Sequence, residues 1–198
     1  MIWFYKLPHR ALFLFFLTIG TASAHTGSGS ASGFISGFTH PILGWDHLIA
    51  MLAVGLWGAF LGNPSIWLLP IVFPLVMTFG ATAGIVGTPI PGIEIGIAIS
   101  AVTLGALVAF AARPPIWISS TLVGIFALFH GYAHGTELPQ SANPLVYSVG
   151  FVTATGVLHL LGIGFGLIAR WPAGKIAVQT GGSFIALMGI AFLSKIAS

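Results

Sequence analysis

The sequence predicts an all-α integral membrane protein, a bundle of six transmembrane helices that follows an N-terminal signal peptide. Hydrophobic residues make up 57% of the 198-residue chain and charged residues only 5%, and the mean hydropathy is +1.04. A soluble domain needs far more polar surface than this composition provides. The third observation is that the chain divides into apolar runs joined by short connections, which leave no room for an extramembrane domain.

The first 24 residues are typical of a secretory signal peptide. Lys6 and Arg10 form a basic region, residues 11–19 an apolar core, and residues 22–24 a small-residue cleavage site. The core is shorter than the span of about 20 residues that crosses a bilayer. Cleavage is therefore expected, and an uncleaved anchor stays open as the alternative.

Cleavage would leave His25 at the new N-terminus. A free amine beside an imidazole can chelate a metal ion, whereas the alternative is that His25 simply begins a flexible Gly/Ser-rich segment. We expect residues 25–42 to form a periplasmic leader and residues 43–198 to form one six-helix transmembrane domain.

Six apolar runs are long enough to cross a membrane. Glycines recur within them at spacings of three or four, as in Gly80 with Gly84 and Gly162 with Gly166, which predicts helix faces that pack closely. The predicted spans are residues 43–62, 65–86, 93–111, 116–135, 145–169 and 175–196.

The loop charges predict the orientation of these spans. If the signal peptide carries the N-terminus outward, the inner loops hold three basic residues and the outer helix ends hold only one. The positive-inside rule expects this distribution. These residues are Arg113, Arg170 and Lys175 on the inside and Lys195 on the outside. The prediction is a multi-pass protein of the inner (cytoplasmic) membrane with its mature N-terminus on the periplasmic side.

The segment from His40 to His47 carries two imidazoles and a carboxylate at the start of the first span. Ionisable side chains are costly at membrane depth, so their clustering indicates function, and imidazole with carboxylate is a ligand set for divalent transition metals. A helix that begins at Pro41 places His40 and His47 on about the same face. Asp46 is then a direct ligand, a group that orients an imidazole, or a contact to another helix.

A second cluster lies on the fourth span, where His130, His134 and Glu137 follow i, i+4, i+7 spacing on one helix face. The predicted topology puts both clusters in the outer third of the membrane. We therefore expect one outward-facing metal site built from His40, Asp46, His47, His130, His134 and Glu137.

His159 should lie about 22 Å along the fifth span, past the midplane and outside that site. It is either a second binding station for the metal ion or a proton relay, on the path toward the inner side, or it is a core residue that hydrogen-bonds a backbone carbonyl. Met51, one turn after His47, is either a thioether ligand on the path of the metal ion or a packing residue. Glu94 is an interfacial charge or part of an outer vestibule.

The pattern H-P-x-x-G-x-D-H at residues 40–47, with the segment F-H-G-Y-A-H-G-T-E-L-P at residues 129–139, resembles the HupE/UreJ family of hydrogenase and urease accessory membrane proteins. That family is regarded as nickel permeases. The resemblance implies a non-enzymatic transporter whose partners are a divalent metal ion and membrane lipid. The metal, Ni²⁺ or alternatively Co²⁺, is its substrate, and no permanent cofactor is expected.

Several other functions are disfavoured. The chain has no cysteine, which removes disulfides and thiolate metal sites. Its charge of +3 comes from scattered residues, which argues against nucleic acid. No nucleotide-binding, zinc-protease or nucleophile-turn motif is present. An intramembrane haem protein for electron transfer stays open, as do a helical scaffold, the energy coupling and the oligomeric state, including a homo-oligomer.

Overall fold

The computed structural model describes residues 30–139 and 142–197, and the predicted signal peptide and His25 lie outside this part. The described residues fold into seven α-helices with no strand among them. They are α1 (Ser30–Leu43), α2 (Trp45–Leu61), α3 (Ser65–Ile85), α4 (Ile93–Ala109), α5 (Ile116–Thr136), α6 (Pro144–Leu167) and α7 (Pro172–Ile196), with a single 3₁₀ turn at Ile168–Arg170.

The helix ends follow local chemistry. Asn143 caps α6, because its side-chain oxygen accepts hydrogen bonds from the backbone N–H groups of Leu145 and Val146. Pro144 and Pro172 stand at the first positions of α6 and α7, where the missing N–H has no helical partner to lose. These signals are visible in the sequence, and the predicted spans agree with the helices within a few residues from α2 onward.

The predicted start of the first helix at Pro41 is wrong. Helix α1 begins at Ser30 and continues through Pro41 to Leu43, so most of the expected leader is helical. The chain then breaks at Gly44, which is extended, and α2 starts at Trp45, with the two helices bent by 80°. Helix α1 is held by α6: a Cβ on Gly37 would lie 2.0 Å from the Tyr147 carbonyl oxygen.

The membrane spans are only partly those predicted. Four helices are long and apolar enough to cross: α3, α5, α6 with its 3₁₀ turn, and α7. The bent pair α1 and α2 would make a fifth span, and α4 is apolar but has only 17 residues. The chain is a helical membrane protein with four to five candidate spans, and the sixth span stays a prediction.

Close helix pairs form the bundle, with α3 against α5, α4 against α7, and α6 against both α1 and α2. Glycines set these contacts as expected. A Cβ on Gly80 of α3 would lie 2.2 Å from the Leu128 carbonyl oxygen, and one on Gly131 of α5 would lie 2.0 Å from that of Met77. Only glycine permits such backbone approach, which adds dispersion contacts where lipid offers no hydrophobic driving force.

The outer surface of the bundle is apolar and its interior holds polar groups. Phe79, Phe110 and Leu145 are among many large hydrophobic side chains that are exposed, as suits a surface in contact with lipid acyl chains. The buried polar residues include four of the seven histidines in the sequence, His47, His130, His134 and His159. Burial of several imidazoles in an apolar bundle calls for a chemical explanation.

Candidate metal centre

Three helix ends meet where the predicted clusters lie. The C-terminal turn of α1 supplies His40, and the first turn of α2 supplies Asp46 and His47. The last two turns of α5 supply His130 and His134, and Glu137 follows immediately as the α5 cap residue. The break at Gly44 is what allows two successive helices to face this point. We call these six residues the histidine cluster.

The imidazoles of the cluster are close neighbours. The ring centroids of His47 and His134 lie 4.3 Å apart, those of His40 and His134 4.9 Å, and those of His47 and His130 5.1 Å. The His40 and His47 rings are 6.3 Å apart. Side chains from two distant sequence segments therefore share one pocket.

Asp46 holds the His47 ring in place. Its Oδ1 atom lies 2.8 Å from Nδ1 of His47 and accepts a second hydrogen bond, 3.0 Å long, from the His47 backbone N–H. An ionised carboxylate only accepts, so Nδ1 carries the hydrogen and Nε2 keeps its lone pair. Carboxylates fix metal-binding histidines in other proteins in this way, which favours the orienting role over direct ligation for Asp46.

His130 is fixed in the same tautomer by its own helix. Its Nδ1 donates to the Phe126 carbonyl oxygen at 2.9 Å, because a carbonyl can only accept. The Nε2 atoms of His47 and His130 and both ring nitrogens of His134 are buried without a hydrogen bond to any described residue. Buried polar atoms are almost always paired, so these nitrogens stand out as donors that are available to a ligand.

Glu137 closes the mouth of the cluster with His40. Its Oε2 atom lies 2.9 Å from Nε2 of His40 and 4.0 Å from Nδ1 of His134. Donor atoms of His40, His134 and Glu137 all lie within 4.8 Å of one another. The Glu137 side chain is 50% exposed and that of His40 31%, whereas that of His134 is 4% exposed, so the cluster runs from an accessible mouth to a buried floor.

Two cavities open on this mouth. One of about 330 Å³ lies on the α1 side and is lined by Ser36 and Thr39 as well as four residues of the cluster, His40, Asp46, His47 and Glu137. The other, of about 590 Å³, lies between α4, α5 and α7 and brings Glu94 and Lys195 to the same space as Asp46 and Glu137. Glu94 thus borders a cavity beside the cluster. All three carboxylates of the chain border these cavities.

The remaining predicted residues lie deeper. His159 is 1% exposed, and its ring centroid is 5.4 Å from that of Phe73, which in turn is 5.5 Å from that of His130. The Met51 sulfur is fully buried and accepts a 3.4 Å hydrogen bond from the Thr155 hydroxyl. As predicted, His159 does not join the cluster.

No local sequence pattern indicates the two aromatic rings that contact the cluster. The Phe151 ring lies 4.0 Å from that of His134, and the Tyr147 ring lies 6.1 Å from that of His40. Both side chains belong to α6, where aromatic residues in an apolar run are ordinary packing residues. Their place beside the imidazoles follows from the packing of α6 on α1, which no local pattern indicates.

The fold and this cluster define the class: a helical membrane protein with buried imidazoles and carboxylates gathered at one end of its bundle. The chain belongs to the HupE/UreJ family, since the family model described as HupE / UreJ protein matches residues 13–192. Protein HupE of Rhizobium leguminosarum bv. viciae is 42% identical over 172 residues, which are 87% of this chain and 90% of that protein. No solved structure matches the chain significantly.

Proposed function

We propose that this protein is a permease for a divalent transition-metal ion, which binds at the histidine cluster and then crosses the bundle. The observation that carries the proposal is the set of buried ring nitrogens without partners on His47, His130 and His134. Neutral imidazoles with carboxylates nearby form a ligand set for Ni²⁺, Co²⁺, Zn²⁺ or Cu²⁺. The metal is the transported substrate, and the protein has no enzymatic role.

The dimensions of the cluster suit an ion. Ligand atoms at about 2.0–2.2 Å from a metal lie within roughly 4 Å of one another. The donor atoms of His40, His134 and Glu137 already lie within 4.8 Å, so a small inward movement of side chains completes such a site. The Glu137 side chain is 50% exposed and that of His40 31%, so both have room to make that movement, whereas His130 and His134 are fixed by burial.

Membership of the HupE/UreJ family supports Ni²⁺ as the metal, with Co²⁺ as the alternative. The ligands alone do not select between them, because affinity follows the Irving–Williams order and selectivity comes from geometry. The haem alternative fits poorly. A haem between two axial imidazoles needs a slot for its macrocycle, yet the rings of His47 and His134 are only 4.3 Å apart.

The charge distribution supports an inner-membrane protein whose cluster faces outward. Arg113 precedes the start of α5 and Arg170 follows the end of α6, so both lie at the end of the bundle opposite the cluster. Basic residues favour the cytoplasmic side. An outward cluster would capture the ion from the periplasm, and Asp46, Glu94 and Glu137 around its mouth would attract cations.

The test is metal-resolved uptake into proteoliposomes that contain the purified protein. We expect accumulation of Ni²⁺, with Co²⁺ competing, and loss of uptake when His47 and His130 are both replaced by Ala. An absorption spectrum of the purified protein separates the alternatives. A Soret band without metal uptake would contradict the permease and support an electron-transfer protein.

A further inference from the structure

His159 is a buried imidazole that lies apart from the histidine cluster. It stands on α6 about 18 Å further from the cluster end than Tyr147. Its side chain is 1% exposed, and neither ring nitrogen forms a hydrogen bond with the described residues. An imidazole buried this deeply with two unpaired nitrogens is costly, and packing alone does not account for it.

The His159 imidazole interacts with the backbone carbonyl of Pro70 in α3, although the contact is weaker than a full hydrogen bond. That oxygen is special because Pro74 stands four residues later. Proline has no N–H, so the carbonyl of Pro70 lacks its usual helical partner. Pro74 thus leaves a backbone acceptor without a helical partner inside the bundle, beside the His159 imidazole.

We propose that His159 and the Pro70 carbonyl oxygen form a second, weaker station for the transported divalent cation. This inference rests on the proposed permease function. Backbone carbonyls freed by broken helices coordinate cations in other transporters, and imidazole is a ligand that divalent transition metals accept. Neither donor carries a negative charge.

The two stations differ in charge, and this difference gives the second station a role in releasing the ion. All three carboxylates of the chain border the cavities at the cluster, so none is available to His159. A neutral site in a low-dielectric interior binds a divalent ion less tightly than a site with carboxylates. Conduction requires that an ion enters each site favourably and that it can also leave. A weak inner station allows the ion to leave.

The packing provides a connection between the stations. A single ring, that of Phe73, separates the imidazoles of His130 and His159. On the α2 side, Met51 follows His47 by one turn, and its sulfur accepts a hydrogen bond from Thr155, one turn before His159. A thioether and a hydroxyl therefore lie between the levels of His47 and His159, in an otherwise apolar core.

The experiment compares tight Ni²⁺ binding in detergent with the initial rate of Ni²⁺ uptake into proteoliposomes. His159→Ala should keep tight binding at the cluster and lose at least about tenfold in uptake rate, because only the inner station is removed. Pro74→Ala should also slow uptake, since it supplies an N–H that bonds the carbonyl of residue 70.

Pro70→Ala is the matched control. It restores the helical bond to Ile66 but leaves the carbonyl of residue 70 free, so uptake should stay near the wild-type rate. Wild-type uptake in His159→Ala, loss of tight binding in that variant, or equal effects of the two proline substitutions would each overturn the inference. If the wild-type protein neither binds nor transports Ni²⁺, the proposed function fails instead. Monodisperse elution in detergent verifies the fold of each variant.

Discussion

The imidazoles of His47 and His134 lie 4.3 Å apart, although they belong to α2 and α5 and come from distant parts of the chain. Both rings are buried, and both have ring nitrogens with no partner among the described residues. The two imidazoles form no hydrogen bond with each other, so their contact leaves these nitrogens unpaired. Under the proposed function, an ion that binds between the two rings satisfies these nitrogens.

The hydrogen bond from His47 to Asp46 gives the first prediction. Asp46→Asn keeps an acceptor near Nδ1 but removes its charge, so the His47 ring becomes a weaker ligand. Loss of such orienting carboxylates typically lowers metal affinity about 10-fold to 100-fold. We expect a loss in that range for Ni²⁺, measured by equilibrium binding, with the number of ions bound unchanged.

Thr39→Val is the control for this substitution. Thr39 lines the same mouth, but its hydroxyl already donates to the Ile35 carbonyl oxygen, so its removal should leave affinity near the wild-type value. An Asp46→Asn protein that binds Ni²⁺ as tightly as the Thr39→Val protein would show that the carboxylate does not act through His47.

Glu137 gives a prediction about rates. Its half-exposed carboxylate at the mouth should speed the arrival of cations by electrostatic attraction, which salt screens. Glu137→Gln should slow Ni²⁺ association and make the association rate less dependent on ionic strength. Glu137→Asp keeps the charge, so it should keep much of the wild-type association rate and of its dependence on ionic strength. Stopped-flow association at several salt concentrations measures this. Equal salt dependence in the Gln variant and the wild type would contradict the role.

The packing of α3 on α5 gives a prediction about stability. A Cβ on Gly131 would lie 2.0 Å from the Met77 carbonyl oxygen, so Gly131→Ala must push the helices apart. Overpacking of this kind typically costs about 1–3 kcal/mol. We expect a lower melting temperature in detergent. We also expect weaker Ni²⁺ binding, because displacement of Gly131 moves His130, the residue directly before it.

Gly156→Ala is the matched control, since nothing lies within 4 Å of the Cβ that it adds. Its melting temperature should equal or slightly exceed that of the wild type, because alanine favours helix over glycine. If Gly131→Ala and Gly156→Ala have the same melting temperature, close backbone contact between α3 and α5 does not contribute to stability.

Most helices could be predicted from the sequence because prolines, glycines and single charges interrupt the apolar runs. Helix α3 was expected at residues 65–86 and spans Ser65–Ile85. Helix α1 could not be predicted in this way. It lacks a long apolar run, and its stability comes from contact with α6, where a Cβ on Gly150 would lie 2.2 Å from the Phe34 carbonyl oxygen.

The candidate site was predictable to a similar extent. Helical spacing and alternating topology place His47 and His130 at one depth, and the structure brings their rings to 5.1 Å. The contact between His40 and Glu137 depends on the 80° bend at Gly44, and the free carbonyl beside His159 depends on how α3 packs on α6. Such relationships are tertiary and leave no local pattern.

The sharpest prediction concerns His47 and His130, which belong to different helices and face one pocket. Each single replacement by Ala should abolish or strongly reduce Ni²⁺ binding and uptake, because each removes a ligand nitrogen without opening a large apolar cavity. The double variant should be little worse than either single one, since two residues that serve one ion are not additive. Equilibrium binding and proteoliposome uptake for the three variants and the wild type measure this, with monodisperse elution as the folding control. Independent, additive losses in the double variant would show that the two imidazoles do not share an ion, and so would wild-type uptake in His47→Ala.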